Sequence, residues 1–339
     1  MLNKAIISLK ILKQNALKIK RQLPNKCKFC AVVKSNAYGH GLIECANALY
    51  KIVDCYAVSN VEEGVKLRLS GIDKDILVLS PFIKTDAVIA IKHNLILSID
   101  DANDLKILNS QAKKQKSFAK IHIKINTGMN RLGIDTLKEL KEFLEQLKGY
   151  KHIIVDGVYS HYSNPKNLKS LESQTNKFLL AINLIKSYNI NTINHISASG
   201  GFLQGKYFDM VRIGILLYGY TPYKTNRISI NPVMKINSVV LKNRSLKKGS
   251  TALYGDKKVK KNQRVSIVCY GYANGLDRKQ VNGVFSNRCM NLTAISQNSP
   301  KGQTITIMEN AEVQAKKYKT ISYEVLVKCA NFTEKVYRS

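Results

Sequence analysis

Over the first two-thirds of the chain, short apolar, β-branched runs alternate with longer stretches of helical periodicity. The first run is Ala31–Val33. Others follow at Cys55–Val58, Ile76–Ser80, Leu95–Ile99, Ile121–Ile125, Ile153–Tyr159, Ile193–Ile196 and Val211–Leu217. Between most of them lie amphipathic stretches such as Asn60–Leu69, Ala102–Gln115, Leu137–Leu147 and Ser170–Tyr188. A buried strand followed by a helix, about eight times over, predicts an α/β chain folded as a TIM-type (β/α)8 barrel. The residues that draw attention for their chemistry cluster where the runs end, which in such barrels is the catalytic face.

The pattern changes between Pro222 and Pro232. Beyond it come short β-rich runs separated by Gly, Asn and Lys: Val233–Leu241, Val265–Tyr272, Thr304–Met308 and Tyr323–Val327. They predict a smaller all-β domain. The 339 residues suit a barrel over 1–225 and a C-terminal β domain over 226–339. Near the N-terminus, Leu9, Leu12, Ala16, Ile19 and Leu23 share one helical face, with Ser8 as N-cap, and predict a helix on the side of the barrel. This segment lacks the apolar core and cleavage site of a signal peptide.

No apolar run is long enough to span a bilayer, so no membrane partner is expected. The seven cysteines form no disulfide framework, which points to a reducing, cytoplasmic setting. Cys27 and Cys30 form a CxxC in the first strand, where residues three apart face opposite sides, so neither metal nor redox use is expected. The net charge of +31 is spread along the chain without a recognisable nucleic-acid module. It predicts weak, salt-sensitive attraction to polyanions and no specific nucleic-acid partner.

Ala31 to Gly41 reads AVVKSNAYGHG, a buried strand ending on Lys34 and running straight into small and turn-forming residues. An amine at a strand tip is partly desolvated. Desolvation disfavours the ammonium and frees the nitrogen to attack a carbonyl. On chemistry alone, a surface lysine that happens to follow a strand is an equal reading.

The segment VVKSNAYGHG resembles the pyridoxal-phosphate signature of the alanine racemases, whose lysine forms a Schiff base with the cofactor. Further segments resemble the same family in the same order, over nearly the whole chain. The family's layout is a barrel followed by a β domain that the first few residues join as a strand. The resemblance implies a homodimer with shared active sites that interconverts L- and D-alanine with pyridoxal 5'-phosphate, supplying D-alanine for peptidoglycan of the cell wall. A related racemase of broader preference, such as one acting on serine, is the alternative, because a pocket separates side chains of similar size by only about 1–3 kcal/mol. Barrel decarboxylases share the architecture, but their glycine-rich phosphate loop is missing here. Barrel proteins that only carry the cofactor have no second domain.

The resemblance assigns two proton-handling groups. Lys34 is one, and Tyr254, in ALYGD, is the other, reaching the site from the partner subunit. Without the family pattern, one tyrosine among 17 in a β domain would read as packing. IHIKINTGMNRLG resembles the family's KxDTGMxRLG segment, which implies that Arg131 contacts the cofactor's phenolic oxygen and the substrate carboxylate. In it, Lys124 matches a lysine carbamylated in some members, and Asn126 stands where Asp is usual. GVYSHYSNP implies that His161 lies near the pyridine ring. HISASGG implies that Ser199 binds the phosphate, with Ala198 in place of Asn. DMVRIGILLYG implies Arg212 at the pyridine nitrogen and the backbone N–H groups of Gly214 and Ile215 at the phosphate, together with Tyr38. GYANGLDR implies Tyr272 and Arg278 on the wall of the substrate access, with Asn274 for Asp. NRCMN implies the Met290 amide at the substrate carboxylate, with Asn291 for Asp. Beyond SYEVLVK, the family's phosphate-binding tyrosine corresponds to Asn331.

Overall fold

The computed structural model describes residues 2–251, 253–279 and 287–339, so Ala252 of the ALYGD segment lies outside the described residues. It divides into two compact units. One comprises Lys13–Ser35 and Leu42–Ile230; the other comprises Met1–Leu12, Asn36–Gly41 and Asn231–Ser339.

The larger unit is built on eight parallel strands: β2 (Lys28–Val32), β3 (Cys55–Val58), β4 (Ile76–Val78), β5 (Ile96–Ile99), β6 (Ala119–Lys124), β7 (Ile153–Tyr159), β8 (Ile193–His195) and β9 (Met210–Ile213), which follow β1 (Lys4–Ser8) of the other unit. Strands β2 to β8 pair in chain order and β9 returns to pair with β2. The seam between β8 and β9 is drawn together by Asp209 N–H donating to Asn194 O at 3.0 Å and Arg212 N–H donating to Ser197 O at 2.9 Å. The result is the nearly closed α/β barrel that the alternation predicts. Half of its strands are buried on both faces: every residue of β3, β4, β5 and β9 is buried. The crossovers are helical. Leu137–Leu147 starts at a capping box made by Thr136 and Glu139 and buries Leu140, Phe143, Leu144 and Leu147 on one stripe. The helix Leu9–Lys20 buries Leu12, Ala16 and Ile19, with Ser8 Oγ accepting from Ile11 N–H at 3.3 Å. Cys27 stands just before β2 rather than within it, while Cys30 is buried.

The second unit is organised by β10 (Met234–Leu246), which pairs with β11 (Gln263–Val268), β13 (Thr304–Met308) and β1; β12 (Thr293–Ile295) extends the β11 edge. Strand β1 lies antiparallel to β10 and parallel to β14 (Glu334–Arg338). This β domain also carries two helices, Ala311–Tyr318 and Ser322–Ala330. The run Tyr323–Val327, expected as a strand, lies in the second of them. Ser322, Val325, Leu326, Cys329 and Ala330 are its buried positions, and they recur at the spacing of a helical turn. The expected strand to Tyr272 ends at Val268, and Tyr272–Asn274 forms a 3-10 turn. Among the described residues, no helix is long and apolar enough to cross a membrane.

Candidate active site

Lys34 stands at the end of β2, where the chain enters a short helical turn, Lys34–Tyr38. Ser35, Asn36, Ala37 and Tyr38 all have φ of 53°, in the left-handed region. None is glycine, and each such residue costs about 1–2 kcal/mol. Strain of this kind persists only where surrounding structure imposes it, commonly beside a functional group.

Four cations of the barrel unit converge. Burial, followed by the charges of Arg131 and Arg212, depresses the Lys34 amine below its ordinary value, with Glu63 opposing. Burial and the same two arginines lower Lys124 to about 8, with Asp100 opposing. His161 is lowered to about 3, by burial first and then by Arg212, Arg131, Lys34 and Lys124. The site is short of negative charge. That is the electrostatic signature of a place built for an anion.

Arg212, on β9, is 3 % exposed. Its Nη2 donates to Ser160 O at 2.7 Å and lies 3.4 Å from His161 Nδ1, and its Nη1 donates to His195 O at 3.2 Å and meets His195 Nδ1. The guanidinium carbon sits 4.9 Å from the centre of the Tyr159 ring. That ring stacks at 5° on His195, and the Tyr159 hydroxyl is 2.7 Å from Ser98 Oγ. Below this group, His195 Nε2 contacts His122 Nδ1 at 2.9 Å. Gln174, also buried, donates to His161 O at 3.2 Å and holds that strand end.

Just past β9, Gly214 N–H donates to Ser199 Oγ at 3.3 Å, and Gly214, Ile215 and Ser199 are buried. Ser199 opens the short helix Ser199–Leu203, whose start has no side-chain cap because Ala198 carries no oxygen. A hydroxyl and backbone amides are a donor set suited to phosphate.

Arg131 is exposed, on the loop that follows β6. Asn126 organises that loop: its Oδ1 accepts from the N–H groups of Gly128 and Asn130, both at 3.0 Å, and its Nδ2 donates to Asp135 at 2.6 Å. The amide of Asn126 therefore satisfies Asp135, a bond that an ionised aspartate there could not donate. Gly133 closes the loop with φ of 117°, and a Cβ there would come within 2.5 Å of Asn126 N.

The remaining residues expected at the site, Tyr38, Tyr254, Tyr272, Arg278 and Met290, belong to the second unit. Tyr38 is buried, its ring centre 6.0 Å from that of Tyr323. The tyrosine next to Tyr38 is thus Tyr323, while Asn331 ends the helix Ser322–Ala330. Tyr254 is 59 % exposed, in a bridge with Asn287, and Met290 is 55 % exposed. Tyr272 and Arg278 line a cavity of about 470 Å³ together with Tyr318, Glu324, Lys328 and Asn331. Asn274, buried, accepts from Gly271 N–H at 3.0 Å, a role that either Asn or Asp fills. Asn291 is exposed.

Sequence reasoning gave no part to Tyr159, Ser98, His122, Asp156 or Tyr323. The period-two spacing of His122 and Lys124 in IHIKI was the available signal, since it aims both side chains to one face of β6.

Comparison with known proteins agrees along the whole chain. The family models "Alanine racemase, N-terminal domain" and "Alanine racemase, C-terminal domain" match residues 7–222 and 233–337. Alanine racemase 2 of Clostridium acetobutylicum is 33% identical over 285 residues, 81% of this chain and 72% of that relative. The alanine racemase structure from Clostridium difficile superposes with a TM-score of 0.93 at 27% identity, over 100% of this chain and 96% of that one. The Bacillus anthracis alanine racemase with bound L-Ala-P superposes with a TM-score of 0.91 at 27% identity, over 100% and 95% of the two chains. With its barrel, its β domain and its whole length matched in this way, the chain belongs to the alanine racemase family.

Proposed function

We propose that this protein interconverts L- and D-alanine with pyridoxal 5'-phosphate, as a homodimer in the cytoplasm, and that the D-alanine serves peptidoglycan synthesis. The observation that carries this reading is the cationic cluster around Lys34, whose amine is held below its ordinary protonation range by burial and by Arg131 and Arg212. The donors present fit the cofactor. Ser199 Oγ and the amides of Gly214 and Ile215, with Tyr38, would hold its phosphate. Lys34 would bond to it, Arg131 would meet its phenolic oxygen, and Arg212 and His161 would face its ring. When bound, the cofactor supplies an electron sink for the α-carbon of an amino acid.

The rest of the work falls to side chains. Lys34, poor in protons, takes or returns the α-proton on one face. Tyr254 of a second copy does so on the other. Arg131 and the Met290 amide hold the substrate carboxylate, and a guanidinium suits that planar group. Tyr272 and Arg278 line the access. Arg212 carries a positive charge that disfavours a proton on the ring nitrogen, which restrains side reactions.

Purified protein supplied with cofactor and L-alanine is expected to form D-alanine, with a visible absorption band from bound cofactor. Lys34→Ala should abolish both. Tyr254→Phe should keep the band and severely slow the L-to-D direction. Undiminished racemisation in both variants would refute the reading.

A further inference from the structure

The barrel interior contains a chain of hydrogen bonds, ending on a carboxylate, that the proposed proton transfers do not use. In the β6–β7 ladder, Ile121 pairs with Val155 but His122 pairs with Gly157. Asp156 is the extra residue, and a bulge of this kind re-aims a side chain. Asp156 Oδ2 lies 3.0 Å from His122 Nε2. His122 Nδ1 lies 2.9 Å from His195 Nε2, and His195 Nδ1 meets Arg212 Nη1. Gly157 makes room: a Cβ there would stand 2.6 Å from His122 Nε2. Asp156 is 30% exposed and shares a small cavity with Lys28, Asp54 and Asp75, at the mouth opposite the strand ends that carry Lys34.

With both imidazoles neutral, the carboxylate at one end sets the direction of every bond in the chain. A carboxylate only accepts, and the His122 bond holds Asp156 in that state by lowering its carboxyl. Burial lowers both imidazoles and so favours their neutral forms. His122 therefore donates from Nε2 and accepts at Nδ1. His195 donates from its own Nε2, and its Nδ1 is left to accept from Arg212.

We propose that Asp156 is a positioning residue for Arg212: through His122 and His195, its carboxylate dictates both imidazole tautomers and keeps an acceptor facing the guanidinium. This rests on the reading that Arg212 faces the cofactor ring. Without the carboxylate, His122 is free to present Nδ1–H to His195. The proton of His195 then moves to Nδ1, and two donors oppose each other at Arg212. A purely structural rival has the carbonyls of Ser160, His195 and Ile196 hold Arg212 by themselves.

The test combines nitrogen-15 NMR of labelled histidine in the cofactor-free protein with racemase kinetics of the holoenzyme. In the wild type, both imidazoles are expected to be protonated on Nε2 alone. A wild type with Nδ1–H at either ring overturns the proposal, whatever the variants do. In Asp156→Leu, His195 should lose its single tautomer, and kcat should fall about tenfold or more with the KM for alanine little changed. Asp156→Asn, whose amide oxygen still accepts, should restore both. Wild-type tautomers and kcat in Asp156→Leu, or an Asp156→Asn as impaired as Asp156→Leu, would overturn it. A wild type without racemase activity would instead sink the functional reading and leave the NMR result to stand on its own.

Discussion

Lys124 shows how one side chain records its surroundings. Burial and two neighbouring arginines bring its amine from 10.5 down to about 8. The protonated form is thus less welcome in the folded chain than in the unfolded one. Below pH 8 both states carry the proton, and the folded state bears the full penalty. As the pH rises from about 8 to 10.5 the folded amine is already neutral while the unfolded one is not, so stability from this group increases. In the cofactor-free protein, Lys124→Met should melt at a higher temperature than the wild type at pH 7. Thermal melts across that window should show the gap closing. A constant gap would mean that packing, and not charge, sets the difference.

At the scale of elements, the left-handed turn after Lys34 is the costly one. Ser35 is exposed, yet it holds φ of 53°. Ser35→Gly should raise stability by up to about 1 kcal/mol, because glycine adopts this conformation without the Cβ clash. Denaturant unfolding of the two proteins checks it, and a destabilised variant would contradict it. This turn was invisible in the sequence: SNAY holds no glycine, and propensity alone gives no reason for a left-handed run. Barrel strands such as β3 were legible because burial on both faces writes continuous apolar runs, and β3 begins and ends where its run does. The helix Ser322–Ala330 was not. Its five residues YEVLV are equally good in a strand, and only the partners of Val325 and Cys329 decide the period. Within the candidate site, strand-end motifs such as the one around Arg212 could be read by resemblance. The polar chain beneath it could not, since a bulge that turns Asp156 inward depends on a register shift between two strands.

For the whole molecule, the proposed dimer makes a sharp demand. If each site takes Lys34 from one copy and Tyr254 from the other, two impaired proteins complement. Co-expressed Lys34→Ala and Tyr254→Phe chains should form mixed dimers with one site intact in both groups, and racemise L-alanine far faster than either does alone. Dimers that form and stay inactive would exclude a shared site. Light scattering of the wild type gives the companion result, a particle of two chains.

The order of the strands also bears on how the molecule is made. Strand β1 is held between β10 and β14, so it must wait through the synthesis of the whole barrel for its neighbours. At about 5–20 residues per second, Lys4–Ser8 spends tens of seconds with both edges bare. A nascent chain of this protein therefore has a barrel to fold while its opening strand waits, and its dependence on chaperones should be greatest in that interval.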